Sequence, residues 1–407
     1  MSTLNYWLWL ATKDGLRRET IYRAVDFFGS PEAVYEADQD AYEALGLHKE
    51  EQQALCNKAM ARPNSILDTC DRLGIWLMTY QDADYPTRLR NIYDPPCVLY
   101  GKGKRIHFDE TPAVAIVGTR RCSPYGKKVA ATLGFQLAYR GMLVISGLAK
   151  GIDTVAMTGA LRAGVPVVGV LGCGIDVVYP RENREIYRDV ASSGTLLSEY
   201  PPGTQPLGPH FPVRNRIMSG LSLGVIVVEG PMRSGSLITA RHALEQGRDV
   251  FAVPGNIDSP LSLGPNRLLR DGAIPVTHAD DVIGEYIQQY PTKLHLSPKT
   301  MEDRMPNRGE QRRVLAEGHQ SSTKKEVDKW EAKDYIDLND SVEPFTEQEK
   351  AILKALGTQS PTQADELAAR TEIPPGQLLS ALTVLELRGV VLQTPGKCFQ
   401  RNGDIRE

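Results

Sequence analysis

The sequence has no pair of cysteines at redox or metal-binding spacing. Cys56, Cys70, Cys97, Cys122, Cys173 and Cys398 are scattered along 407 residues. That excludes a disulfide-framed fold, argues against a zinc site and suits a reducing, cytoplasmic setting. No stretch reaches the roughly 18–20 consecutive apolar residues of a membrane helix, so no membrane partner is expected. The leading MSTLNYWLWLATKDGLRRE has a short apolar patch with no basic residue before it, and no signal peptide is read there. Charge of one sign is absent too: 47 Lys and Arg face 50 Asp and Glu. A nucleic-acid binder that is basic throughout is excluded, and any polyanion site has to be local.

What is present is ordinary for a soluble protein, with 41% hydrophobic and 24% charged residues. At roughly 100–200 residues per domain, the length implies about two to four units. Residues 1–65 read as short helices, with Ile21, Ala24, Val25 and Phe28 at helical spacing and Ser30-Pro31 starting a further helix. Residues 66–107 form a connector with turn signals at 82–86 and 94–96. From 108 to 290 short apolar runs alternate with longer amphipathic stretches. The runs are AVAIVG (113–118), MLVIS (142–146), VPVVGVLG (165–172), TLLSE (195–199), LGVIVVE (223–229), DVFAVP (249–254) and AIPVT (273–277). Apolar, β-branched strands alternating with helices mean an α/β domain: a doubly wound, mostly parallel, Rossmann-like sheet covered on both faces. Residues 291–343 carry 10 Lys and Arg and 11 Asp and Glu, 21 of 53 positions, and read as a flexible linker. From 344 to 407 periodicity returns. Thr346 and Glu349 have capping-box spacing, and three helices precede a strand–turn–strand, the order of a winged helix-turn-helix.

The functional signals lie in the turns of the central segment. In a doubly wound sheet, ligands bind outside the carboxyl ends of strands, beside helix N-termini. The first strand runs into Gly118-Thr119-Arg120, where Gly118 permits close approach and Arg120 sits at a phosphate position. The dinucleotide fingerprint GxGxxG is replaced by GTRRCS, which disfavours NAD. No cofactor and no metal are expected. The second strand ends in Ser146-Gly147, with Lys150 following; a tight strand–helix crossing explains this turn equally well. Arg214-Asn215-Arg216 precedes the fifth strand. Two arginines two apart do not fully share a helix face, but they can flank a groove, and the planar guanidinium fork suits phosphate. After the fifth strand, Arg233-Ser234-Gly235-Ser236 offers N–H groups and hydroxyls as an anion cradle. Brought to one sheet edge, these residues would form a local positive groove for a polyanion. No catalytic constellation accompanies them. His210, His242 and His278 lack ligand spacing, and Glu199 and Glu229 read as capping or arginine-pairing groups. Tyr125 and Phe211 are candidates for base stacking.

VGTRRCSPYG (117–126), SGLAKGIDTVAMTGAL (146–161), VLGCGIDVVYPREN (170–183), SEYPPGTQP (198–206), FPVRNRIMSGLS (211–222), RSGSLITARHALEQGRDVFAVPG (233–255) and LGPNRLLRDGA (263–273) together resemble the DNA-processing protein A family of bacterial single-strand DNA binders. The resemblance implies a non-enzymatic homodimer joined through the central domain. It implies binding of single-stranded DNA and loading of the RecA recombinase in natural transformation, or competence, and in homologous recombination. Arg120 would contact a backbone phosphate, and Arg214, Asn215 and Arg216 would line the same groove. Ser146-Gly147 and Ser234-Gly235-Ser236 would supply main-chain and hydroxyl donors. Met157 stands where the family commonly has His.

The outer segments are similar to other parts of that family. Residues 1–65 resemble its helical domain, of SAM or helix-hairpin-helix type, and 344–407 resemble the winged helix that some members carry. Arg388, Lys397 and Arg401 are the winged helix's candidate cations, with duplex DNA or a protein as partner. A second class stays open: a nucleotide-processing enzyme of the lysine-decarboxylase-like phosphoribohydrolase type. That chemistry needs a PGGxGT turn, where this chain has RSGSLITA.

Overall fold

The computed structural model describes residues 2–296, 335–337, 345–357, 361–371, 373–387, 390–394, 398–401 and 404–406. Residues Met1–Arg304 form one unit and Met305–Glu407 a second. Most of the stretch read as a linker lies outside the described residues.

Six helices come first: α1 (Thr3–Ala11), α2 (Arg18–Phe28), α3 (Pro31–Glu36), α4 (Gln39–Ala44), α5 (Lys49–Cys56) and α6 (Ala61–Leu73). Ser30 caps α3 as its spacing predicts, its Oγ accepting from Ala33 N at 3.1 Å. Two strands follow, β1 (Trp76–Thr79) and β2 (Val98–Gly103), with the short α7 (Thr87–Arg90) between them. Then β3 (Ala113–Val117), β4 (Leu143–Ser146), β5 (Val167–Leu171), β6 (Thr195–Ser198), β7 (Gly224–Val227), β8 (Asp249–Ala252) and β9 (Ile274–Pro275) reproduce the seven apolar runs. The helices among them are α8 (Pro124–Tyr139), α9 (Ile152–Leu161), α10 (Arg184–Ser193), α11 (His210–Leu221), α12 (Gly235–Glu245) and α13 (Leu263–Arg270), with α14 (Ala279–Tyr286) after β9.

The nine strands make one sheet in the order β1-β2-β6-β5-β4-β3-β7-β8-β9. From β6 to β9 all pairings are parallel, Val114 standing beside both Val144 and Gly224. The segment read as a connector extends this sheet. β2 pairs antiparallel with β6, Tyr100 opposite Ser198, and β1 antiparallel with β2, Trp76 opposite Gly101. Both strands are short, and β2 carries glycine at position 101 for a packing reason. A Cβ on Gly101 would lie 2.1 Å from the Trp76 ring.

Both faces of the sheet are covered. On one face Ile145, Val168 and Val225 pack with Ile217, Leu221 and Ala240 of α11 and α12. On the other, Val114 and Val144 join Leu133, Ala156 and the helices at the N-terminus, through Trp7, Trp9, Ile21 and Val25. Residues 1–65 therefore share a core with the sheet. Each buried valine, leucine or isoleucine among them contributes about 1.5–3 kcal/mol by burial. α8 and α9 cross closely because Gly134 and Gly159 carry no side chain there. A Cβ on Gly134 would lie 2.1 Å from Ala156 O, and one on Gly159 2.2 Å from Ala131 O.

After β3 the chain builds the sheet in one direction through β6, then returns to place β7 on the other side of β3. This reversal opens a crevice at the carboxyl ends of the central strands.

In the second unit, helices Glu347–Ala355, Ala364–Thr371 and Pro375–Leu387 surround Ile352, Leu367, Leu382 and Phe399. Strand Cys398–Arg401 pairs antiparallel with both Val391–Thr394 and Thr362–Gln363. The Thr346 capping box forms, with Glu349 N donating to Thr346 Oγ1 at 3.2 Å and Thr346 N to Glu349 Oε2 at 2.7 Å. This is the helix and hairpin order of a winged helix.

Candidate nucleic-acid interface

The first turn is tied down by its backbone. Thr119 N donates to Glu229 O at 2.7 Å, and Gly118 packs so tightly that a Cβ would lie 2.6 Å from Ile152 Cγ1. The buried Glu229 carboxylate accepts from Ser123 N at 2.9 Å and from the Ser123 hydroxyl, which holds the start of α8. Glu229 thus plays the capping part expected of it. With the backbone fixed, the side chain of Arg120 is left exposed. Its guanidinium carbon stands 5.5 Å from the centroid of the Phe211 ring, which lies 5.3 Å from that of Tyr179. Arg120, Lys150, Tyr179 and Phe211 line a cleft of about 50 Å³, with Gly147 at its floor.

Under that floor lies Arg214, 3% exposed. Its Nη1 donates to Gly147 O at 2.8 Å and to Val170 O, and its Nε to Asn215 Oδ1 at 3.2 Å. Arg214 therefore clamps the ends of β4 and β5 from below. A Cβ on Gly147 would lie 2.4 Å from Arg214 Nη2 and would push the guanidinium out of this place. Its own N–H is spent on Asp153 Oδ2 at 3.1 Å. Burial lowers the pKa of Arg214 and raises that of Asp153; each charge opposes the effect of burial on the other.

Arg216 does not line this cleft, against the expectation for the Arg214–Arg216 stretch. On a helix, positions two apart differ by about 200° around the axis. Arg216 points the other way, pairing with Asp94 at 3.2 Å and with Glu199. Arg18 of α2 completes a four-charge cycle, 2.7 Å from Asp94 and 3.3 Å from Glu199. The cycle borders a separate cavity of about 1210 Å³ between α2 and the start of α11.

The remaining candidates divide as well. Ser146 is fully buried and its hydroxyl donates to Ile116 O at 2.8 Å, so it is not offered to a ligand as expected. The Ser234 and Ser236 hydroxyls bond each other at 2.8 Å. Gly235 and Arg233 are exposed, and Gly235 O accepts from Asn215 Nδ2 at 3.3 Å. The 233–236 turn thus sits beside Asn215 and is not among the residues lining the cleft. Lys150 is exposed and pairs with Glu182 at 2.6 Å. Tyr125 is exposed and donates to Pro254 O at 2.8 Å. In the second unit, Arg401 Nη1 donates to Leu353 O at 3.2 Å, whereas Arg388 and Lys397 lie outside the described residues.

Sequence reasoning missed Tyr179 and Glu182 as site residues. Their one signal is position: they lie in the segment Gly172–Asn183 that follows β5, where a doubly wound sheet places ligand-binding turns.

Fold and cleft together define a Rossmann-like α/β protein with a cationic, aromatic-lined site at its strand ends. The family model for DNA recombination-mediator protein A matches residues 76–287, and that for the DprA winged helix domain matches 338–397. The DNA processing protein DprA of Bacillus subtilis is 45% identical over 212 residues, 52% of this chain and 71% of that one. Protein Smf of Synechocystis is 31% identical over 406 residues, covering 97% of this chain and 98% of that one. The X-ray structure of DNA processing protein A from Streptococcus pneumoniae superposes with a TM-score of 0.62 at 37% identity, covering 70% of this chain and 99% of that one. The chain belongs to the DNA recombination-mediator protein A family and carries that family's DNA-processing role. Among the described residues no helix is long and apolar enough to cross a membrane.

Proposed function

We propose that this protein binds single-stranded DNA in the cleft of Arg120, Lys150, Phe211 and Tyr179. There it protects incoming or recombining strands and loads the RecA recombinase onto them during transformation and homologous recombination. It acts in the cytoplasm as a homodimer joined through the central domain, by binding and not by catalysis. The observation that carries this reading is the cleft itself, where two exposed cations flank two aromatic rings at the carboxyl ends of the central strands. Cations that hold phosphates and rings that stack bases are the two devices of sequence-tolerant single-strand binding. Glu199 and Glu229, the acids at strand ends, are engaged by arginine and by a helix start, which disfavours the nucleotide-processing alternative. We assign Arg214 and Asn215 the role of positioning the cleft, and Arg233 and Gly235 that of contacting the strand beyond it.

The test is a titration of the full chain with fluorescent oligo-dT and a matched duplex at two salt concentrations, with mononucleotides assayed for turnover. Preferential, salt-sensitive binding of the single strand without turnover is expected. Release of free base from a mononucleotide, or preference for duplex, overturns the reading.

A further inference from the structure

One wall of the cleft is formed by Tyr179 and Pro180, after which the chain turns through Arg181–Asn183. That turn is anchored. Asn183 is buried, and its Nδ2 donates to Leu148 O and to Thr154 Oγ1, both at 2.8 Å. The 146–151 turn and the 181–183 turn are thus held together, and Glu182 projects from one towards Lys150 of the other. Its Oε1 stands 2.6 Å from Lys150 Nζ, with side chains 66% and 55% exposed. The hydrogen bond from Lys150 is the main cause holding the Glu182 carboxyl below its ordinary range. A carboxylate oxygen at this distance from an ammonium stands where a phosphate oxygen would.

Resting on the single-strand reading above, we propose that Glu182 is a specificity-determining residue whose carboxylate fills the phosphate position at Lys150 and must be displaced by a bound strand. A lone phosphate gains nothing by the exchange, since one ion pair replaces another. A strand brings further contacts at Arg120 and Phe211 in the same event. The cleft therefore favours a polymer over mononucleotides and inorganic anions. The exchange also shapes the salt dependence. When Glu182 is released, it recaptures a cation from solution, cancelling part of the counterion release that the new phosphate contact would give.

The experiment uses the full chain with Glu182→Gln, Lys150→Ala and the double variant, all at exposed positions. Affinity for oligo-dT is measured at several salt concentrations, with thymidine monophosphate as competitor. E182Q is expected to bind oligo-dT about two- to five-fold more tightly, the scale of an exposed ion pair. Its log–log salt slope should steepen by part of the roughly 0.7 that one phosphate contact contributes, and the monophosphate should compete better. In the K150A background the gain should vanish. Wild-type affinity in E182Q, or the same gain with Lys150 removed, overturns the proposal, the latter by showing plain charge repulsion. Arg120→Ala and Phe211→Ala are measured alongside. If both, together with K150A, leave affinity unchanged, the single-strand cleft itself falls; if they weaken binding while E182Q changes nothing, only the role of Glu182 falls.

Discussion

Arg214 and Arg216 leave the same helix and reach unlike surroundings. Arg214 turns under the cleft floor, giving its hydrogen bonds to main-chain carbonyls of two strand ends. Arg216 turns to the opposite side and closes a charge cycle with Asp94, Glu199 and Arg18. Neither is a free surface cation, since both are at most 6% exposed. The cations left for a polyanion are carried by turns: Arg120, Lys150 and Arg233 are exposed. Arginines in a short motif therefore do not add up to a positive groove. One side holds the strand ends in place, the other holds α2 against the sheet, and the ligand-facing charge comes from loops the sheet presents.

Removing each part separates these roles, starting with the largest effect. Arg214→Ala takes the guanidinium donor from two carbonyls and the opposing charge from the buried Asp153, and should lower stability by about 3–5 kcal/mol in urea unfolding. Arg216→Ala should cost about 2–4 kcal/mol, because Arg18 still compensates Asp94 and Glu199, yet leave oligo-dT affinity within about twofold below the transition. Arg120→Ala reverses the pattern. Stability should stay within about 0.5 kcal/mol of wild type. Binding to every sequence should weaken alike, with the salt slope shallower by about 0.7. A further effect is one of pH and lies away from both arginines. Burial works against the charged form of Glu51, but hydrogen bonds from Arg17, Thr20 and His48 N outweigh it and bring its pKa down to about 2. A depressed folded-state pKa stabilises the fold above the ordinary carboxylate range, and that share is lost as pH falls through the folded value. Fluorescence of the buried Trp7 and Trp9 should report a loss of stability between about pH 4.5 and 2, smaller in Glu51→Gln.

Much of the fold was legible because the seven central strands are continuous apolar runs, the pattern a sheet buried on both faces demands. The capping box at Thr346 was legible because its two residues stand at a fixed spacing. β1 and β2 were hidden, since Gly101 breaks the apolar run of β2 to leave space for the Trp76 ring of β1, a need that shows only once the two strands are paired. The site was legible in part. Arg120, Lys150 and Phe211 do meet. The separation of Arg214 from Arg216 follows from helix geometry, but only once that stretch is known to be helical. Glu182 was silent because a glutamate in a turn reads as a solvated charge until its partner is placed beside it.

If the proposed function holds, the strand lies in the cleft between Arg120 and Phe211 and not in the larger cavity bordered by the charge cycle. Ultraviolet cross-linking of oligo-dT to the full chain, followed by mass spectrometry of the adducts, locates the bases directly. Adducts are expected on Phe211 or Tyr179. Adducts confined to Tyr22, Tyr93 or Tyr200, which line the cavity between α2 and α11, would contradict it.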